Sequence, residues 1–438
     1  MKMENTEIKE LMDFLDNSLT CYHAVREVKK RLTEAGFTSL SERDVWTLEG
    51  GRDYYAVRND SSLIAFRVPS CRAEEIEGFH IFAAHSDSPA LKLKESPEMT
   101  KEGVYVSLNT EKYGGMILST WLDRPLTIAG RVCVEEDGEI VSYVVTLKEN
   151  TCLIPNLAIH MNRDMNKGVE LNPQTDMLPL LMMKEEGEEA TVSIKDMAAE
   201  ALNACYGKQF CADDILSFDL FAENSQKAVT AGANDEFIMS ARYDDLSCVF
   251  AGIKAMLATQ NDRYINVLAV FDNEEVGSLT RQGADSTFLK DTLEAVSDGL
   301  KIPQAVYRTW KAKSFLLSAD NAHACHPNQP AKADPVNRPR LNGGIVLKYH
   351  GGQKYATDAY SAAVVKKLCQ DKEIPCQIYT NRSDVVGGST LGNLLMAQMS
   401  MPAADVGLAQ FAMHSAYETG GAEDISYMTG LAKAFYEM

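Results

Sequence analysis

No stretch of this sequence approaches the 18 or so apolar residues that a membrane-spanning helix needs. The longest apolar runs, residues 265–271 and 177–183, are the size of a strand or a core helix. No two of the ten cysteines stand as CxxC, so the spacing suggests no disulfide framework. Positive charge is in deficit: 43 Lys and Arg face 62 Asp and Glu, a net charge of −19. That balance argues against a general nucleic-acid binder, which sets clustered cations against phosphate. It also argues against docking on an anionic membrane surface. The first fifteen residues, MKMENTEIKELMDFL, carry no basic region followed by an apolar one, so no signal peptide is expected. With the cysteines read as small core residues in a reducing compartment, the expected location is the cytoplasm. Internal repeats and low-complexity tracts are absent. What remains is a chain of 438 residues, 45% hydrophobic and 24% charged, as in ordinary globular proteins. Chains of this length usually hold two or three domains and can bury about three quarters of their extended surface.

The pattern along the chain changes twice. Ile8, Leu11, Met12 and Leu15, then Val25, Val28 and Leu32, fall at helical spacing and predict helix over residues 7–36, with Gly36 as C-cap. Two β-rich runs around residues 59–62 predict a hairpin, and residues 81–84 predict a buried strand. From about 93 to 231 helical periodicity is sparse and short alternating stretches dominate. RVCVEE and EIVSYVVTL flank Asp137–Gly138, a strong hairpin signal. From 232 strands and helices alternate again: SCVFAGIKAMLAT, YINVLAVF, SFLLSAD, DAYSAAVVKKLCQ, GLAQFAMHS, LAKAFYEM. This rhythm predicts an α/β domain, residues 1–92 with 232–438, whose mainly parallel sheet is flanked by helices. Residues 93–231 are expected to form a β-rich domain inserted into it.

Chemistry-bearing residues gather where predicted strands end. His85 and Asp87 end IFAAHSD, Glu274 and Glu275 end YINVLAVFDNEE, Asp320 ends SFLLSAD and His414 ends GLAQFAMH. Open α/β sheets place their sites at the carboxyl ends of strands. Asp244, in SARYDDLSC, precedes a helix. An HxD pair alone is common, and an EE pair alone is usually a solvated helix face. Together, two histidines and three carboxylates suit Zn²⁺, with Mn²⁺ or Co²⁺ as alternatives. Five ligands exceed what one catalytic zinc takes and match two metals bridged by a carboxylate. In the adjacent pair Glu274–Glu275, one carboxylate can bind metal while the other acts as general base. Asp87 can take the second ring N–H of His85. His323 and His326 read as supporting or structural. GGIVLKYHGG lacks the spacing of a phosphate cradle, and Cys325–His326 lacks triad geometry.

These residues stand in motifs that resemble the aspartyl aminopeptidase family of metallopeptidases along nearly the whole chain. The similarity runs from YHAVREVKKRLTEAGF and GGRDYYAVRNDSSLIAFRV through FHIFAAHSDSPALKLK, STWLDRPLTIAGRV and IPNLAIHMNR to ARYDDL, FDNEEVGS, SADNAHACHPN and FAMHS. The resemblance implies a zinc-peptidase type catalytic domain with an inserted β-rich dimerisation domain. It implies two divalent metal ions per subunit, zinc first among them. His85 and Asp320 would bind one, Glu275 and His414 the other, and Asp244 would bridge. Glu274 would be the general base, and the Asp244–Asp245 peptide would be cis. His160 would reach a neighbouring subunit's site, while Lys348 and Tyr355 would lie near the substrate. The assembly implied is a homo-oligomer, a tetrahedral dodecamer built from dimers. The activity implied is removal of an N-terminal Asp or Glu from peptides. Alternatives are broader aminopeptidase specificity, another dinuclear hydrolase such as a carboxypeptidase or deacylase, or a non-enzymatic scaffold. Departures from the family pattern are Asp245 for the usual Asn, NRSDVVGGSTLG for a commoner SD-x-P-C-GST, and His350 where Asn is frequent.

Overall fold

The computed structural model describes residues 6–188 and 193–438. Along the chain, α1 (Thr6–Asn17) and α2 (Cys21–Glu34) precede β1 (Thr38–Leu40), β2 (Asp53–Arg58), β3 (Ser62–Arg67) and β4 (Gly78–His85). Next come β5 (Ala90–Lys101), β6 (Tyr105–Tyr113), β7 (Pro125–Glu136), β8 (Glu139–Thr146), β9 (Cys152–Leu153) and β10 (Leu180–Met183), followed by α3 (Ile194–Tyr206) and β11 (Ser217–Asn224). Then follow β12 (Val229–Ala231), β13 (Phe237–Ser240), α4 (Tyr243–Ala258), β14 (Tyr264–Phe271), α5 (Phe288–Gly299), α6 (Gln304–Lys313), β15 (Phe315–Ala319) and β16 (Ala322–His323). The chain closes with β17 (Ile345–Tyr349), α7 (Ala359–Asp371), β18 (Cys376–Thr380), α8 (Leu391–Met399), β19 (Ala403–Gly407), β20 (Ala409–Phe411), β21 (Glu418–Gly421) and α9 (Asp424–Tyr436). Among the described residues no helix is long and apolar enough to cross a membrane.

Two compact units result, dividing at Asp87/Ser88, Lys227/Ala228, Met413/His414 and Tyr417/Glu418. The α/β unit is built on a nine-stranded sheet, ordered β1-β2-β3-β14-β4-β15-β19-β17-β18. Its four central strands, β14, β4, β15 and β19, run parallel, while β3 against β14 and β17 against β19 are antiparallel. The sheet is therefore mixed, with the parallel part at its middle. All eight residues of β4 are buried, as a strand covered on both faces requires. One face packs against α1, α2, α4, α7 and α9 and the other against α5, α6 and α8. Each large apolar side chain buried here, such as Phe79, Ile81 or Phe82, contributes about 1.5–3 kcal/mol. α4 comes so close to the sheet at Gly252 that a Cβ there would lie 2.8 Å from Leu268 and 2.9 Å from Phe82. A second, five-stranded sheet, β12-β13-β21-β20-β16, lies in the same unit.

The β-rich unit closes on itself. β11, β5, β6, β10, β9 and β7 form a ring through the added pairing of β11 with β7, and β8 extends it as a hairpin from β7. The hairpin turns at Asp137 and Gly138, both at positive φ (53° and 83°), as the paired residues Glu136 and Glu139 demand. The second hairpin read from the sequence pairs Arg58 with Ser62. The single helix expected over residues 7–36 is instead two, α1 and α2, separated at residues 18–20. Asn17 turns its side chain back onto the Asp13 carbonyl (2.8 Å), and Thr20 enters α2 in an extended conformation with its hydroxyl 2.9 Å from His23 Nδ1. Short polar side chains that compete for backbone groups interrupt a helix that apolar spacing alone would continue.

Candidate metal centre

Three adjacent parallel strands deliver the site. His85 is the last residue of β4, Asp320 follows β15 directly, and Glu274 and Glu275 form a single 3₁₀ turn just after β14. Asp244 opens α4 with non-helical backbone angles, and the Asp244–Asp245 peptide is cis.

His85 is fully buried, and its Nδ1 lies 3.0 Å from the Asp87 carbonyl oxygen. A carbonyl only accepts, so Nδ1 carries a hydrogen, and Nε2 is the ring atom left to bind a metal in place of a proton. That Nε2 faces Asp244 Oδ1 at 3.9 Å and Asp320 Oδ1 at 4.0 Å. Ligand atoms about 2.0–2.2 Å from one zinc stand roughly 3.3–4 Å from each other, so the spacing suits a shared cation. Ligand atoms of His85, Glu274 and Glu275 likewise lie within 4.8 Å of one another. The Asp87 carboxylate stands 3.4 Å from the same Nδ1. Its two oxygens accept the backbone N–H groups of Glu274 and Glu275, at 3.1 Å each. Asp87 thus locks the turn that presents both glutamates.

The electrostatics show what this cluster needs. Burial raises the Glu274 carboxyl to about 8, and the Asp320, Asp87 and Asp244 carboxylates add to the shift while His85 opposes it. Burial and then the Asp244 carboxylate push Glu275 well up, and burial followed by Asp320 and Asp244 does the same to Asp245. Burial works against a charged His85, but the Asp87 hydrogen bond and the Asp245 and Glu274 carboxylates outweigh it and hold the imidazole well above its ordinary value. Six carboxyl groups, Asp87, Asp244, Asp245, Glu274, Glu275 and Asp320, crowd around His85 with Lys348 behind them. Buried anions at this density need added positive charge, and imidazole with carboxylates is a donor set for divalent zinc.

A family model described as aminopeptidase I zinc metalloprotease (M18) matches residues 14–436. The chain belongs to the M18 family of zinc aminopeptidases. The resemblance read from the sequence is borne out. A probable M18 family aminopeptidase 2 from Clostridium novyi (strain NT) is 41% identical over 443 residues, covering all of both chains. Its counterpart in Pseudomonas aeruginosa (strain UCBPP-PA14) is 40% identical over 97% of each. Among solved structures, the Ape4 and Nbr1 complex superposes with a TM-score of 0.94 at 34% identity, covering 98% of this chain and 85% of that one. The S. cerevesiae mApe1 dodecamer gives 0.82 at 27% identity, covering 99% and 97%.

The other candidate residues of this M18 peptidase are placed as follows. His414 lies three residues past β20, in the short segment that belongs to the β-rich unit. Its Nδ1 is 3.1 Å from the Gly115 carbonyl oxygen, its own carbonyl accepts Ile117 N–H (2.9 Å), and its φ is 66°. His160 is exposed in the β-rich unit, in the loop after β9. Lys348, on β17, is buried and already engaged: Nζ donates to the carbonyls of Asp320 (2.5 Å) and Asn321 (3.1 Å) and stands 3.5 Å from the Asp320 carboxylate. Burial opposes its charge, but Asp320 more than restores it. Tyr355 is buried with its ring 5.3 Å from that ammonium. His323 and His326 are exposed and stack edgewise near Tyr379 and Phe411, in none of the ligand groups found among the described residues.

Two supporting residues escaped the sequence reading. Asn321 donates to the Tyr243 carbonyl, Ser247 Oγ and Gln410 Oε1 and accepts Leu408 N–H, which ties the Asp320 loop to α4. Its adjacency to Asp320 was the available signal. Glu418 accepts the backbone N–H of Asp244 at 2.9 Å, and 174 residues of separation hide that pairing.

Proposed function

We propose that this M18 peptidase removes N-terminal residues, Asp or Glu in preference to others, using two divalent ions, zinc first and Mn²⁺ or Co²⁺ as substitutes. His85 and Asp320 would hold one ion, Glu275 and His414 the other, with Asp244 between them. The observation that carries this reading is His85 Nε2 facing Asp244 and Asp320 while Asp87 pins the Glu274–Glu275 turn. Such ions, when bound, supply Lewis-acid polarisation of a peptide carbonyl and a lowered pKa for water. Glu274 takes the proton from the attacking water and returns it to the leaving amine. A carboxylate lifted toward neutrality by burial is suited to both transfers. Asp87 acts as a positioning residue by fixing the Glu274 backbone. The carboxylates around the cleft also favour a free α-ammonium over a blocked amine.

The finer parts rest on the family likeness. Lys348 and Tyr355 are assigned to the side of the substrate, where a permanently charged ammonium favours an acidic side chain. The β-rich unit is assigned to dimerisation, with His160 serving a neighbouring subunit's site, and the assembly to a dodecamer such as that of mApe1. Peptides in the cytoplasm are the proposed substrates. The test is kcat/KM for Asp-, Glu-, Leu- and Ala-nitroanilides beside their N-acetylated forms, with Glu274→Gln alongside. Expected are cleavage of free-amine substrates only, acidic ones fastest, and a fall of about 10²–10⁴-fold in the variant with its metal content unchanged. Equal cleavage of N-acetylated substrates, or a fully active variant, would overturn the reading.

A further inference from the structure

The peptide unit that leads into Asp244 is held at both ends by one closed ring of buried side chains. Its N–H, on Asp244, donates to Glu418 Oε2 at 2.9 Å, and its carbonyl, on Tyr243, accepts from Asn321 Nδ2 at 3.1 Å. Gln410 joins the two holders. Its Oε1 accepts from Asn321 Nδ2 (3.0 Å) and its Nε2 donates to Glu418 Oε1 (3.4 Å). Tyr243, Asp244, Asn321, Gln410 and Glu418 are each at most 3% exposed. Gln410 lies on β20 and Glu418 opens β21, which are antiparallel neighbours, while Asn321 follows Asp320 directly after β15. The ring closes in one orientation only. Leu408 N–H can only donate, and it donates to Asn321 Oδ1 (3.2 Å), so the Asn321 amide nitrogen is the atom that faces Gln410. Gln410 then meets it with its oxygen and turns its NH₂ to Glu418. Glu418 offers one oxygen to each donor in the ring, as an acceptor-only carboxylate does.

We propose that Gln410 and Glu418 are positioning residues for the metal centre, a role that rests on Asp244 being the ligand shared between the two ions. Asp244 and Asp320 both stand within 4.0 Å of His85 Nε2, so their like charges oppose each other before an ion arrives. The ring answers that repulsion through the backbone. It fixes the peptide that precedes Asp244, and through Asn321 it ties that peptide to the residue after Asp320. Neither Gln410 nor Glu418 is among the assigned ligands; both act through Asp244. Ligands held in place by the fold bind an ion more tightly than ligands that must be ordered on binding. The ring therefore sets the affinity for the ions rather than the chemistry performed on the substrate.

The test exchanges donor for acceptor at the Gln410–Glu418 contact without changing side-chain size. In Glu418→Gln one amide NH₂ faces another, and in Gln410→Glu one carboxylate faces another. Combining the two substitutions sets one donor against one acceptor again, and the N–H groups of Asn321 and Asp244 each still meet an oxygen. Full-length protein stripped of metal is titrated with Zn²⁺ against a competing chelator, with Asp244→Asn as the reference for loss of a direct ligand. Each single variant should bind zinc about 10- to 100-fold more weakly, the range for residues that orient metal ligands. The double variant should return to near the wild-type affinity, a compensation that residues filling space alone would not show. Should a single variant fail to fold, the double variant decides: it should fold and bind zinc as the wild type does. A double variant no better than the singles overturns the proposal. Wild-type zinc affinity in both single variants, with Asp244→Asn weakened, overturns it and leaves the Asp244 assignment standing. Wild-type affinity in Asp244→Asn removes Asp244 from the ligand set, and the proposal falls with that assignment.

Discussion

Asp87→Asn tests whether the two glutamates act from a turn that Asp87 holds. In the native site each carboxylate oxygen accepts one backbone N–H, from Glu274 and from Glu275, at 3.1 Å. Asparagine has one acceptor oxygen, so one N–H keeps its partner and the other meets the amide NH₂, donor against donor. A hydrogen bond to a charged group is worth about 1.5–3 kcal/mol, and an orphaned buried donor costs a similar amount. If about 1.5–3 kcal/mol of that falls on the geometry that presents Glu274 and Glu275, kcat/KM drops roughly 10- to 100-fold, at 1.36 kcal/mol per decade. Outer-shell carboxylates behind metal-binding histidines have effects of the same order. The assay is kcat/KM on an aminoacyl nitroanilide, with metal content measured after dialysis against a weak chelator. Metal should be lost more readily as well, because His85 also loses the nearby charge at 3.4 Å. Wild-type activity and wild-type metal retention together would refute the positioning role.

Metal-free protein should lose stability as pH rises from about 5 to 8. Glu274 is raised from 4.5 to about 8 in the folded state, so the folded chain binds more protons than the unfolded one in that window, and stability present at low pH is lost as pH climbs. The upper limit for this one group is about 5 kcal/mol; denaturant midpoints measured with and without zinc should show the slope only in the stripped protein, and a flat stripped profile would refute it. Gly407→Ala should cost about 1–3 kcal/mol of stability and loosen metal binding, because its Cβ would lie 2.0 Å from the Asp320 carbonyl oxygen, a backbone atom that cannot yield cheaply. Thermal denaturation and metal retention report on it. Lys348→Met should lower kcat/KM on Leu- and Asp-nitroanilide alike by about tenfold or more, since two carbonyls and the Asp320 carboxylate lose their cation. The Asp-to-Leu ratio should fall further still; an unaffected Leu substrate would refute the positional role, and an unchanged ratio would refute acid recognition.

The α/β core was legible because its signals are local. β14 and β4 read as apolar runs, and buried parallel strands are apolar throughout. The ligand cluster was legible for a related reason: a strand in an open sheet delivers whatever follows its last residue to one edge, so His85, Asp320 and the Glu274–Glu275 turn could be placed without knowing strand order. The mixed sheet was not legible, since the antiparallel pairing of β17 with β19 depends on how residues 350–402 cross the sheet. Nor was the break between α1 and α2, where apolar spacing continues across residues 18–20 and only the Asn17 and Thr20 side chains mark the interruption.

Lys348 shows where residue type and position stop being informative. By the family resemblance, Lys348 is expected to be an ammonium awaiting an acidic substrate. The fold gives it three oxygens of its own, from Asp320 and Asn321, before any peptide arrives. A lysine so placed does two things at once: it fixes the backbone of Asp320, the aspartate proposed to bind metal, and it leaves a positive field at Tyr355. The first effect acts on every substrate, while the second acts only on those with a carboxylate within reach. Short-range pairing with Asp320 is screened little in this buried setting, whereas the repulsion of an acidic peptide by a chain of net charge −19 is screened strongly by salt. Acid preference, if Lys348 creates it, should therefore strengthen in kcat/KM as ionic strength rises from low values, because approach is eased while the field inside the site is retained.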